Sequence, residues 1–258
     1  MQENKNHKGA DGARKPYLKE HIPVKLQGPF SYGEFLERPN RFLVICKVNG
    51  RRVPAYLPNP GPMPDLLFPG VEVLLRYNAG EHRKTDFDLI CARPHGELLS
   101  LDSRVPNWLL AEALPQDQLA PFTGYSQVHS EPLYRESRLD FLLQDKSLPP
   151  CLIEAKSSTD AEESIGYFPR AVTQRGQRHV RELMYAISEG YRAAIVFILQ
   201  RSDASSMRPN DRVDPAFGQV LRQAAKKGVE TYAWGTRFDE NTYEITIDRV
   251  LPVNLGPP

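Results

Sequence analysis

RLDFLLQDKSLPPCLIEAKSS, residues 138–158, is the stretch on which the reading of this chain turns. Two alternating runs flank a short loop at about residues 144–150, the pattern of a β-hairpin. A hairpin centred near Ser147 sets Asp140 opposite Glu154, Phe141 opposite Ile153, Leu139 opposite Ala155 and Arg138 opposite Lys156. Side chains alternate faces along a strand, so one face carries Arg138, Asp140, Glu154 and Lys156. The other carries Leu139, Phe141, Ile153 and Ala155. A register error of two residues keeps this sorting and an error of one destroys it.

Directly opposite residues have Cβ atoms about 4.5–5.5 Å apart. Two carboxylates that close repel unless a positive group lies between them. Magnesium or manganese suits the place, since such ions take oxygen ligands at about 2.1 Å, often one or two carboxylates with water and phosphate. Lys156 would then orient a water or stabilise charge on a transferring phosphate, which completes the parts needed for metal-assisted phosphodiester hydrolysis. A second reading also fits: a solvent-facing sheet surface on which Arg138 and Lys156 neutralise Asp140 and Glu154. Glu131, before the first strand, and Glu112, at the end of the preceding helix, are either further metal carboxylates or surface acids.

Outward from the hairpin the pattern is α/β. Residues 106–113 (PNWLLAEA) start a helix, and a strand is expected at about 125–131. A strong helix is expected at about 173–189, with Val180, Leu183, Met184 and Ile187 at the spacing of a buried stripe and Gly190 as its stop. Residues 192–199 include AAIVFIL, an apolar run typical of a strand buried on both faces. A further helix at 215–227 and a strand at 229–234 follow.

Residues 24–93 have a different texture, with strands at 42–48, 52–57, 71–77 and 86–92. Asn49-Gly50 is a strong hairpin turn signal. Five or so short strands in about 70 residues suggest a small barrel, with the OB-fold a natural candidate. Tyr32, Phe35, Phe42 and Tyr56 are candidate base-stacking aromatics or core residues. The segment LPNPGPMPDLLFPG, residues 57–70, is neither helix nor central strand; it is a rigid binding loop or a stiff connector. Residues 1–20 read as a disordered polar tail, 21–95 as the barrel and 96–258 as the α/β domain.

The chain has 258 residues, 40% of them apolar and 25% charged, with net charge +1. That composition excludes disorder for the bulk of the chain and excludes a globally basic nucleic-acid binder. Cys46, Cys91 and Cys151 are too few and too far apart for a disulfide framework or a paired zinc site, and read as buried thiols of a reducing cytoplasm. No apolar run approaches the roughly 20 residues of a membrane span, and the N-terminus lacks the apolar core of a secretory signal. Phosphate-loop, dinucleotide and nucleophile-elbow motifs are missing.

The order D-x(13)-E-x-K among these helices and strands resembles the PD-(D/E)XK nuclease superfamily. Four segments also resemble the sugar fermentation stimulation protein A family: YLPNPGPM (56–63), ESRLDFLL (136–143), CLIEAKS (151–157) and GYFPRAVTQRGQRHVRELM (166–184). The resemblance implies an N-terminal OB-like barrel and a C-terminal nuclease-like αβββαβ core, with Asp140, Glu154 and Lys156 in the catalytic positions. It also implies non-specific DNA binding and a link to regulation of sugar utilisation. The chain departs from the family pattern at Pro60, Ala155, Arg170 and Gln174, and the last two replace residues that are often acidic in the family.

Arg170, Arg175, Arg178 and Arg181, with His179 among them, come with no acidic residue between Tyr167 and Arg181. On the helix Arg175, Arg178 and Glu182 are expected opposite the apolar stripe, with His179 and Arg181 on its flanks. These groups and Arg138 form a candidate phosphate-contacting patch beside the hairpin, giving salt-sensitive binding indifferent to sequence. An ordinary solvated face would look the same. The leading expectation is a cytoplasmic, non-specific DNA-binding protein that carries a metal-dependent DNA or RNA nuclease site in the hairpin, with nucleic acid as partner. The alternatives are a DNA-binding regulatory module without cleavage and an RNA-processing nuclease.

Overall fold

The computed structural model describes residues 22–256, so the expected 1–20 tail lies outside the described residues. After β1 (Ile22–Lys25), the chain builds β2 (Phe30–Asn40), β3 (Leu43–Val48), β4 (Arg51–Tyr56), β5 (Glu72–Tyr77), β6 (Phe87–Arg93) and β7 (Leu99–Ser100). Their order is β4-β3-β2-β5-β6-β7, and a parallel β4–β6 pairing closes β2–β6 into an OB-like barrel. Asn49 and Gly50 both take positive φ, 50° and 77°, as the expected tight turn requires. Phe35, named above as a stacking candidate, is instead barrel core, while Phe42 is exposed.

The 57–70 segment is a packed connector. Leu57, Met63, Leu66 and Leu67 enter the barrel core. The Arg38 guanidinium holds the Asn59 and Gly61 carbonyls, which a proline-rich segment cannot satisfy by regular pairing.

The second unit starts with α1 (Val105–Ala113) and continues with β8 (Gln127–Ser130), β9 (Leu133–Tyr134), β10 (Ser137–Arg138), β11 (Phe141–Gln144) and β12 (Cys151–Ser158). Then follow β13 (Asp160–Glu162), β14 (Ile165–Phe168), α2 (Gln174–Ser188), β15 (Arg192–Leu199), β16 (Ser206–Pro209), α3 (Pro215–Lys226), β17 (Glu230–Asp239) and β18 (Glu244–Leu251). Seven strands form one sheet in the order β1-β18-β17-β15-β12-β11-β8. Its centre, β12-β15-β17, is parallel, and its margins are antiparallel. β1 therefore belongs to this sheet and not to the barrel, although it precedes every barrel strand.

Each face of the sheet is covered by apolar partners. α2 and α3 pack on one face through Val180, Leu183, Phe217 and Leu221, against Leu152, Ile195 and Phe197. α1 covers the other through Leu109 and Leu110, against Phe141, Ile153, Val196 and Trp234. Leu74, Ile90 and Cys91 of the barrel join that second cluster, so the two units share a continuous core. The α2 stripe is rotated from its expected position. His179 and Glu182 are buried with Val180 and Leu183, and Met184 and Ile187 lie at the margin. No described helix is long and apolar enough to cross a membrane. All three cysteines are buried and free, and burial pushes the Cys46 and Cys151 thiols up to about 12.

Barrel closure places one carboxylate at a junction. Asp88, fully buried, pairs in register with Tyr56 of β4 and Arg76 of β5. It accepts from Arg76 Nη2 at 2.6 Å, from Asn78 Nδ2 at 2.8 Å and from Arg83, so it ties down the β5–β6 loop. Burial alone would raise its pKa, but these three donors hold it below the ordinary carboxylate range. Stability from this group is present above the unfolded pKa of about 3.9 and is lost as pH falls through the lower folded value. We expect Asp88→Ala to cost about 3 kcal/mol, because two cations lose their buried partner. Urea unfolding at pH 7 checks this, and the wild-type excess over the variant should shrink below about pH 4.

Candidate functional site

The hairpin has the expected register, with Phe141 paired to Ile153 and Leu143 to Cys151. It ends abruptly at Asp140, which occupies a bend. Before the bend the chain turns to other partners: Leu139 N donates to Pro132 O, and β10 pairs with β9. Ala155 N is left beyond the last rung of the ladder, and Asp140 Oδ2 accepts its hydrogen at 2.7 Å. The carboxylate thus stands in for the missing strand. Asp140 Oδ1 accepts from Asn107 Nδ2 of α1 at 2.7 Å.

The same break corrects part of the expected sorting. Leu139 packs with Leu152 on the α2 face, not with Phe141 and Ile153. Arg138 is carried away on β10, where it is exposed and paired with Glu131 at 3.3 Å. A continuous strand from 138 to 143 would have been needed to keep both on the expected faces.

β12 directs Glu154 toward α2. Glu154 is 3% exposed, and its Oε1 receives Lys156 Nζ at 2.5 Å and contacts His179 Nδ1 at 2.5 Å. Arg175 Nε donates to His179 Nε2 at 3.3 Å. Since Nε2 accepts, the ring hydrogen belongs on Nδ1 and points at Glu154. Thr173 starts this helix by accepting from Gly176 N, which sets the rotation of the Arg175–His179 face.

The two carboxylates have opposite electrostatic settings. Burial and the nearby charge of Glu154 push Asp140 above the ordinary range. Burial would also raise Glu154, but the Lys156 ammonium and the His179 hydrogen bond hold it below that range. Glu154 Oε2 is buried with no hydrogen-bond partner. A hard divalent cation suits this donor set: an unpartnered carboxylate oxygen and a second carboxylate within electrostatic reach. No group of three or more His, Cys, Asp or Glu side chains converges among the described residues, so water and substrate would complete the coordination.

Other expected members lie elsewhere. Glu131 is exposed and bonded to Arg138, and Glu112 is exposed on α1, so neither joins the carboxylate pair. Arg170 grips Asp65 of the 57–70 segment at 2.6 and 2.9 Å and the Thr159 carbonyl, making a strut between the two units. His179, expected among the phosphate contacts, is 2% exposed and faces Glu154. Glu182, expected on the outer face of α2, is buried. Arg175, Arg178 and Arg181 remain exposed on α2, with Arg178 Nε also reaching Ser137 Oγ at 3.2 Å. Asn107 was not singled out in the sequence. Its only signal was a polar residue in the first turn of an apolar helix, 33 positions from its partner.

Comparison with known proteins gives a consistent identity. The model of the sugar fermentation stimulation protein RE domain matches residues 104–242, and that of the SfsA N-terminal OB domain matches residues 36–101. The sugar fermentation stimulation protein homolog of Moorella thermoacetica is 45% identical over 231 residues, 89% of this chain and 98% of that protein. The homolog of Chloroflexus aurantiacus is 40% identical over 90% of this chain and 88% of its own. The structure of Pyrococcus furiosus SfsA in complex with Ca2+ matches with a TM-score of 0.82 at 29% identity, covering 90% of this chain and 99% of that one. The chain belongs to the sugar fermentation stimulation protein family.

The raised Asp140 carboxyl carries a stability consequence. Its stabilising contribution exists below its folded pKa and is lost as pH rises through that value, where a second charge must be held beside Glu154. With chelator at pH 7, Asp140→Asn is expected to melt about 2–4 °C above wild type. Magnesium or calcium should raise the wild-type Tm and leave the variant unmoved. A lower-melting variant, or one with the same metal-induced shift, would contradict this account of the pair.

Proposed function

We propose that this member of the family is a metal-dependent nuclease that hydrolyses phosphodiester bonds in nucleic acid at the Asp140–Glu154 hairpin. The observation that carries the reading is the unpartnered, buried Glu154 Oε2 beside a second carboxylate and an ammonium. The calcium in the Pyrococcus furiosus relative's structure adds support for a divalent site in the family. The OB-like barrel, a fold that often holds oligonucleotides, supports nucleic acid as the partner.

Asp140 and Glu154 would hold magnesium or manganese, which when bound supplies Lewis acidity toward a phosphate oxygen and a more acidic water. Asn107 and the Ala155 amide fix the Asp140 carboxylate, and His179 fixes Glu154, so neither has to reorganise during reaction. Lys156, held by Glu154 Oε1 through its Nζ, orients the attacking water and offsets charge growing on the phosphate. Arg178 and Arg181 hold flanking phosphates from the exposed face of α2, and such contacts read the backbone rather than the bases.

Purified protein with labelled single- and double-stranded DNA and RNA provides the test, run in magnesium, manganese and chelator. Metal-dependent products are expected from wild type, with Glu154→Gln slower by at least about a hundredfold. Arg178→Ala with Arg181→Ala should make the salt dependence of binding shallower by about two in log–log slope. Binding without products in any metal would leave a DNA-associated regulatory module in place of the nuclease.

A further inference from the structure

β3, β4 and the β5–β6 loop line a groove of about 570 Å³ on the barrel. One wall is aromatic. Phe42, 37% exposed, stacks on Tyr56 with ring centroids 6.1 Å apart and planes inclined by 22°. Phe42 is fixed in place, because Asn40 Oδ1 accepts from the amides of Phe42 and Leu43. The opposite wall carries His82, Arg83 and Lys84, and the lining has no acidic side chain. Arg83 is committed to Asp88, but His82 and Lys84 are exposed. Arg41 adds a further cation 5.1 Å from the Phe42 ring centre.

A ligand that covered the exposed Phe42 ring would remove apolar area from water. The ligand chemistry that matches a rigid π face opposed by cations is a flat base on an anionic backbone. A duplex keeps its base faces inside the stack, so only an unpaired strand offers them. The strand that lines the groove is also tied to the start of α1. Two residues after Tyr56, the Pro58 carbonyl accepts from Ser103 N at 3.1 Å and from Ser103 Oγ at 2.7 Å. Arg104, the next residue, occupies the N-cap position of α1, and three residues later on the same helix Asn107 holds Asp140.

We propose that this groove is a single-strand subsite, in which a base stacks on Phe42 and Tyr56 and its phosphates meet Lys84, His82 and Arg41, the strand continuing along the first turn of α1 to the hairpin. The last step rests on the nuclease reading; the stacking does not.

Fluorescence anisotropy of the full chain in chelator tests it, with a labelled oligothymidylate of about 12 nucleotides and a duplex of equal length. Phe42→Ala is expected to weaken the single strand about tenfold and to change duplex affinity less than about twofold. Phe42→Tyr should restore binding, and Lys84→Glu should weaken it independently. In magnesium, Phe42→Ala should raise KM for the single strand and leave kcat unchanged. Unaltered single-strand binding by Phe42→Ala overturns the proposal, as does equal loss on duplex or failure of Phe42→Tyr to restore it. Loss of single-strand binding alone in Phe42→Ala, with a wild type that never cleaves, would uphold the groove while removing the nuclease. Metal-dependent cleavage with binding indifferent to Phe42 would do the reverse.

Discussion

Asp140 Oδ2 accepting the Ala155 amide is the contact on which the site depends. A strand must satisfy the amide that its partner strand abandons. Here a carboxylate does so, and the same requirement that completes the ladder fixes an acid beside Glu154. The bend at 139–140 releases Leu139 to the α2 face and sends β10 outward with Arg138. One backbone interruption thereby positions the acid and clears its surroundings of a competing arginine.

The second carboxylate is held by different means. Glu154 comes from the regular middle of β12, where α2 supplies His179 and the strand itself supplies Lys156. Its two positive or donating neighbours favour the ionised form, while Asp140 has burial and a facing charge against it. Such an arrangement stores unfavourable electrostatics in the folded protein. Functional sites commonly exchange some stability for electrostatics of this kind.

The two units are not beads on a linker. Leu74, Ile90 and Cys91 of the barrel pack into the core beneath β12, and Arg170 ties the 57–70 segment to the β12–β13 turn. β1, the first described strand, lies at the far edge of the C-terminal sheet against β18. The barrel is therefore bracketed by the second unit, which fixes the groove at Phe42 relative to the hairpin.

Local pattern determined much of this protein. The 3.6-residue period and caps located α2, the unbroken apolar run located β15, and the Asn49-Gly50 pair located the β3–β4 turn. Hairpin arithmetic also placed Phe141 opposite Ile153 and brought Asp140, Glu154 and Lys156 to one neighbourhood. Each of those features is decided within about twenty residues, where backbone geometry leaves few choices. Tertiary structure alone decided that Asn107 would hold Asp140, that His179 would turn inward to Glu154, and that Arg170 would serve as a strut. It also moved β1 into the other sheet and broke the strand at Asp140. Apart from the strand break, these outcomes depend on partners 25 to more than 200 positions away. Periodicity shows which residues seek burial or a partner, but the partner itself is chosen when distant segments pack, by which buried donors and acceptors would otherwise go unpaired.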